Sequence, residues 1–159
     1  MISLLMPGVS VAGELMVSGT ESDMIEVEAD RLDVNTEKGE ATFQGDVKAM
    51  RGDMVITSKI LRLYYDNATS KVNQLIAEED VALAWQDKKG LCNKAVYLLD
   101  EQKIMLIGNV NITRGDEMLS GQKVTFDMAS DRQVVEGQGG RVKIRINPTE
   151  ESGILQWEK

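Results

Sequence analysis

The sequence predicts an all-β protein, a rolled or folded-over antiparallel sheet assembled by tandem duplication. Three observations predict it. Short runs with period-two alternation of apolar and polar residues recur from Ile25 to Ile146, and no stretch carries a 3.6-residue apolar stripe. The eleven residues Phe43 to Asp53 (FQGDVKAMRGD) return 63 positions later as Leu106 to Asp116 (LIGNVNITRGD). Gly45, Val47, Arg51, Gly52 and Asp53 recur there without a gap as Gly108, Val110, Arg114, Gly115 and Asp116. A fixed internal period is an architectural signal in its own right. Lastly, the parity of the apolar positions flips at regularly placed small residues, which a simple flat strand cannot do.

The first twelve residues are apolar, carry Pro7 and Gly8, and precede any charge. They are too few to span a bilayer as a helix. Ser10-Val11-Ala12 fits the small-x-small pattern of a signal-peptidase site, although the first Lys or Arg is Arg31, so the basic start of an export signal is missing. The segment reads as the back half of such a signal, which implies a periplasmic location; the other reading is an apolar strand or disordered arm. Cleavage after Ala12 leaves a flexible lead-in over residues 13–24.

From Ile25 onward the strands follow in order. Ile25-Glu26-Val27-Glu28 and Leu32-Asp33-Val34 alternate, as do Leu61-Arg62-Leu63, Val81 to Trp85, Val110-Asn111-Ile112, Val124-Thr125-Phe126 and Val142 to Ile146. Alternation places one side-chain set on a buried face and the other in water. Turn signals separate them at Glu37-Lys38-Gly39, Arg51-Gly52-Asp53, Asp66-Asn67-Ala68, Asp87-Lys88-Lys89-Gly90, Asp100-Glu101-Gln102, Arg114-Gly115-Asp116 and Ala129-Ser130-Asp131. The two Arg-Gly-Asp tripeptides occupy matched places between strands, so they read as hairpin turns and not as adhesion motifs.

A small residue followed by a polar one recurs at Ala29-Asp30, Ser58-Lys59, Cys92-Asn93 and Gly121-Gln122. Ser58, Cys92 and Gly121 each lie twelve residues after Asp46, Asp80 or Asn109. Across these points the apolar set changes from 25 and 27 to 32 and 34, and from 54 and 56 to 61 and 63. Each site therefore requires a β-bulge or sharp bend where the strand turns a corner. The body divides into repeats of about residues 25–87 and 88–150, each made of two related quarter-units. Cys92 occupies the small-residue slot and reads as a corner residue. Residues 25–34 and 141–147 are expected to be the sheet edges, and residues 148–159 a loose tail whose Trp157 caps the roll or is exposed.

Composition narrows the function. The 159 residues suit one domain. A formal net charge of −8 argues against nucleic acid, which needs a basic footprint. With no histidine and one cysteine, an internal disulfide, a Cys/His zinc site and a His-based triad are excluded. No carboxylate cluster has catalytic spacing. The chain reads as a non-enzyme that needs no cofactor and no metal.

The ordered motifs resemble a known family. Ile25 to Asp30, Thr42 to Val47, Leu106 to Val110 and Ser120 to Phe126 are similar to the OstA-like repeat of the LptA-type lipopolysaccharide transport proteins, over about residues 25–146. The resemblance implies a twisted β-jelly roll, open along one seam like a folded taco, that carries lipopolysaccharide by the acyl chains of lipid A. It implies head-to-tail self-stacking through edge strands, and partners that are an LptC-like inner-membrane component and an LptD-like outer-membrane component. The LptC-like component has the same fold but carries a transmembrane helix, and the LptD-like one a large barrel; neither is seen in this sequence.

The candidate lipid-binding residues are the inward sets: Ile25, Val27, Leu32, Val34, Phe43, Val47, Ile56, Leu61, Leu63, Leu83, Tyr97, Leu99, Leu106, Val110, Ile112, Val124 and Phe126. Each acyl methylene buried there would contribute about 0.8 kcal/mol, and nine methionines offer adaptable thioethers. The same alternation also describes an ordinary sandwich core, so pattern alone leaves core and trough open. No basic cluster is evident to clamp phosphates, so acyl burial would carry the binding. The alternatives are an LptC-like periplasmic domain, a structural β-repeat assembly protein that binds no lipid, and a carbohydrate-binding or cupin-like jelly roll. The absence of histidine speaks against the cupin enzyme.

Overall fold

The computed structural model describes residues 24–156, which form one antiparallel sheet of ten strands. The strands are β1 (Glu26–Glu28), β2 (Arg31–Asn35), β3 (Glu40–Arg51), β4 (Met54–Tyr65), β5 (Val72–Trp85), β6 (Lys88–Leu98), β7 (Lys103–Arg114), β8 (Glu117–Asp127), β9 (Arg132–Glu136) and β10 (Lys143–Arg145). Across the sheet they run β1-β3-β4-β5-β6-β7-β8-β10, with β2 also on β3 and β9 also on β8. Each outer position is thus shared by two short strands, β1 with β2 and β9 with β10. The all-β expectation holds. The proposed cleavage site at Ser10 to Ala12 and Trp157 lie outside the described residues.

A crease runs across the sheet where the parity flips were expected. The register slips between Gln44 and Val47, Glu78 and Val81, Leu91 and Lys94, and Ile107 and Val110. The small residues Ser58, Cys92 and Gly121 sit on this line. The unpaired extra residue belongs to the neighbouring strand. It lies in Gly45-Asp46, Glu79-Asp80 and Gly108-Asn109, where both residues of each pair have positive φ. The polar residues after Ala29, Ser58 and Gly121 close the crease. Asp30 N–H donates to the carbonyls of Gln44 (3.1 Å) and Gly45 (3.0 Å), Lys59 Nζ lies 3.1 Å from Asp80, and Asn109 N–H donates to Gln122 Oε1 (3.3 Å). Glycine is needed at 108 because φ is +86° and a Cβ there would come within 2.5 Å of Asn93 Nδ2; Gly45 meets Asp30 in the same way.

The crease divides the sheet into two leaves. The first holds β2, β9 and the halves of β3 to β8 around Phe43, Leu61, Leu75, Tyr97, Leu106 and Phe126. The second holds β1, β10 and the halves around Val47, Ile56, Leu83, Cys92, Val110 and Leu119. Their inner faces meet in one apolar cluster. Each fully buried Leu, Ile, Val or Phe contributes about 1.5–3 kcal/mol. The cluster is densest over β6–β8, where Leu106, Val110, Ile112, Leu119, Val124 and Phe126 are all buried.

Three expectations are corrected. The turn placed at Asp87 to Gly90 is only Gln86-Asp87, and Lys88 already belongs to β6, buried on its inward face. The edge expected at residues 141–147 also includes β9, paired with β8; its adjacent Val134 and Val135 do not alternate with polar residues. Within the tail, residues 153–155 are not loose: Gly153–Leu155 form a 3₁₀ turn against β7 and β8, with Ile154 at 0% exposure.

Candidate functional site: a cleft between the two leaves

The leaves part along the side opposite the crease. An open cleft of about 920 Å³ lies there between the hairpin ends of the two leaves. Arg51, Gly52, Asp53, Met54, Trp85 and Gln86 line it from the second leaf; Lys71, Val72, Tyr97, Leu99, Asp100, Gln102 and Met128 line it from the first. The volume lies within the roughly 300–1,000 Å³ of small-molecule sites. Deeper in, a narrow apolar recess between Ile25, Ala49, Ile56, Leu75 and Tyr97 extends toward the β1 edge. Arg51 reaches across the seam, donating from Nη1 to the Tyr97 hydroxyl with its guanidinium over the Tyr97 ring.

The seventeen candidate residues divide by position. Val47, Leu61, Leu83, Leu106, Val110, Ile112, Val124 and Phe126 are buried among other side chains. Ile25, Val27, Phe43, Ile56, Leu63, Tyr97 and Leu99 are partly buried at the margin of that cluster. Leu32 and Val34 pair with Phe43 and Ala41 and so face inward, yet they are 53% and 50% exposed because nothing covers the β2 end. The interior is therefore filled over β6–β8 and open toward β1 and β2. The candidate set left out Arg51, Met54, Trp85 and Met128, which line the cleft. Met54 and Met128 carried a signal, since both lie on the inward parity; Arg51 looked like part of a turn.

The filled end is fastened by a polar network. Glu117, 3% exposed, accepts from Arg114 Nη1 (3.2 Å), Asn147 N–H (3.2 Å) and Ser152 Oγ (3.1 Å). Arg114 Nε donates to Asp87 (2.6 Å), and Lys88 Nζ lies 3.9 Å from the same carboxylate. Burial pushes the Glu117 pKa up, but the hydrogen bonds from Asn147, Ser152, Arg114 and Ile154 together outweigh it and hold the carboxyl below its ordinary value. At Cys92 burial dominates instead and pushes the thiol up to about 11. Among the described residues no group of His, Cys, Asp and Glu is placed to hold a metal ion.

The model of one protein family, the LptA/(LptD N-terminal domain) LPS transport protein family, matches residues 26–132, well over half of the chain. The chain belongs to that LPS transport family. LptH of Pseudomonas aeruginosa, the LptA-homologous periplasmic component of the lipopolysaccharide transport device, superposes with a TM-score of 0.70 at 17% identity, covering 80% of this chain and 98% of LptH. An uncharacterized protein of Rhizobium meliloti (strain 1021) is 21% identical over 132 residues, 78% of this chain and 71% of that protein. The LptA-type open jelly roll expected from the sequence is thus the fold, and the family is one of transport proteins and not of enzymes. Among the described residues of this LptA-type domain, no helix is long and apolar enough to cross a membrane.

Proposed function

We propose that this LptA-type domain carries lipopolysaccharide across the periplasm, holding acyl chains of lipid A in the cleft between its leaves and bridging inner- and outer-membrane components. The observation that carries the reading is the seam cleft, which shares Arg51, Met54 and Tyr97 with the apolar recess at Ile25 and Ile56; the inward-facing Leu32 and Val34 of β2 are half exposed as well. A dozen acyl methylenes at about 0.8 kcal/mol each supply several kcal/mol even after ordering costs. Arg51 and Lys71 both line the cleft mouth, alongside Asp53 and Asp100. Acyl burial remains the main contribution.

Stacking is supported by the two edges. Strands alternate in direction across the sheet, so β10 of one copy meets β1 of the next antiparallel if the second leaves are aligned. A register that keeps Val27 beside Ile144 on the inner face puts Glu26 opposite Arg145 and Glu28 opposite Lys143 on the outer face. The acidic edge thus meets the basic one, and the addition is heterologous and open-ended. The same edges would receive strands from LptC-like and LptD-like components.

The filled interior over β6–β8 favours a second reading, an assembly module that carries no lipid. Native mass spectrometry after incubation with lipopolysaccharide, with competition by a fluorescent acyl probe, separates the two. A one-to-one adduct displaced by the acyl probe supports transport; no adduct and no competition leaves only assembly.

A further inference from the structure

Residues 147–156 leave β10 and cross the seam. Asn147, Ser152 and Glu151 are held by the Glu117 and Arg114 network on the second leaf. Seven residues after Asn147, Ile154 is fully buried against β7 and β8. Leu155 then lines a small cavity with Trp85 from the second leaf and Phe126, Met128 and Gln133 from the first. The segment adds no strand to the sheet. Its regular structure is a single three-residue 3₁₀ turn, and it is fastened by a buried Ile154 side chain and by hydrogen bonds to Arg114 and Glu117. Trp85 and Met128 line both this cavity and the open cleft, so the covered space continues the cleft instead of forming a separate hollow.

We propose that residues 147–156 are a strap that occupies a second acyl-chain subsite over β6–β8, where Ile154 and Leu155 stand in for the chain, and that an entering hydroxylated acyl chain displaces them. This rests on the acyl-binding reading of the cleft. The hydroxyl follows from Gln133: its Oε1 is buried without a hydrogen-bond partner at the cavity that Leu155 covers. A buried amide oxygen left unpaired is costly, and a hydroxyl on the chain can donate to it. Displacement exchanges one apolar occupant for another, so it is driven by the extra methylenes of the chain and by the hydrogen bond to Gln133. While the strap is in place only the open part of the trough is competent, and the apparent affinity is lowered by the closed fraction.

The test uses the full chain with Trp157→Phe, which leaves Trp85 as its sole tryptophan. Quenching of Trp85 by a brominated dodecanoyl probe is followed in stopped flow. Native strap behaviour gives an association rate that levels off with probe concentration, limited by strap release. Ile154→Ser should remove the plateau and tighten probe binding about tenfold. Ser152→Ala, which keeps the apolar contacts, should shift both in the same direction by about threefold. In competition, 3-hydroxydodecanoate should outcompete dodecanoate by about threefold to tenfold, and Gln133→Leu should abolish that preference. Equal rates and affinities in all three strap forms, with quenching intact, would overturn the strap and leave the trough standing. Equal competition by the two acids in the native chain would overturn the hydroxyl preference. Absence of quenching in every form would remove the trough and the strap together.

Discussion

Arg51 and Tyr97 join the two leaves across the open seam: the guanidinium carbon sits 5.7 Å from the Tyr97 ring centroid and Nη1 donates to the Tyr97 hydroxyl. Arg51 ends β3 on the second leaf and Tyr97 lies near the end of β6 on the first. Both residues border the apolar recess and the open cleft, so the contact stands between the two. It acts as a latch whose strength is modest, about 0.5–2 kcal/mol for a cation over an aromatic ring. Tyr97→Phe keeps the ring and loses the hydrogen bond, costing about 0.5–1.5 kcal/mol of stability. Arg51→Ala loses both. In stopped flow with a fluorescent acyl probe, both variants should bind faster than the native chain, Arg51→Ala more so. Unchanged rates in both would show that the latch does not control entry.

The Glu117 network makes the tail's attachment dependent on pH. Glu117 faces Arg114 on β7, with Asp87 and Lys88 beside that arginine, and accepts from Asn147, Ser152 and Ile154 in the tail. Its carboxyl is held below the ordinary value of 4.5 in the folded chain. A depressed folded pKa means the stabilisation is fully present above the unfolded pKa and is lost as pH falls through the folded one. Amide exchange at Asn147 and Ile154, corrected for intrinsic rates, should therefore be slow at neutral pH and accelerate as pH falls below the ordinary glutamate range. Glu117→Gln should show fast exchange at both pH values. Exchange in the native chain as fast at neutral pH as in Glu117→Gln would mean that the carboxylate does not hold the tail.

The sequence made the strands and the crease legible for a physical reason. A period of two forces Val47 and Val110 to one face, and a flip in that period forces a corner at Ser58 and Cys92 whatever the surroundings. The position of the extra residue was not legible as such. Asp46, Asp80 and Asn109 stood out by spacing, but their positive φ is a property of the neighbouring strand's geometry. Nor could alternation distinguish a filled interior from an open one. Leu32 and Leu106 read alike, yet one is 53% exposed and the other 0%. Alternation fixes which way a side chain points and says nothing of how far the facing leaf stands away. Ile154 escaped notice because the adjacent pair Ile154-Leu155 in a polar segment sets up no period to betray it.

The crease geometry gives a paired prediction for two glycines. At Gly108 an added Cβ meets both a positive φ and the Asn93 side chain at 2.5 Å; at Gly115, in the β7–β8 turn, φ is +60° but nothing lies within 4 Å. Gly108→Ala should therefore destabilise by roughly 2–3 kcal/mol and Gly115→Ala by about 1 kcal/mol. Urea unfolding with unchanged m-values would measure both. Equal losses would mean that the Asn93 contact relaxes at no cost and that backbone strain alone matters.

The charged edges determine how copies meet. Glu26 and Glu28 on β1, and Lys143 and Arg145 on β10, are all exposed. The register that places Val27 beside Ile144 pairs them as opposite charges. The reverse meetings, β1 with β1 or β10 with β10, would set like charges against each other. The inner apolar residues provide the adhesion and the outer charges select the orientation. Exposed pairs of this kind are screened beyond about 10 Å at 0.1 M salt, so association should weaken severalfold between 50 mM and 500 mM NaCl in sedimentation velocity. The double variant Lys143→Glu with Arg145→Glu should remain monomeric. Mixed with the double variant Glu26→Lys, Glu28→Lys, it should regain pairing, because acidic β10 then faces basic β1, and the remaining ends, acidic β1 of one copy and basic β10 of the other, are complementary as in the native protein. Filaments should therefore reappear in the mixture with strictly alternating copies. Association of either double variant alone at native strength, in low salt, would show that the edges join by backbone and apolar contacts irrespective of charge.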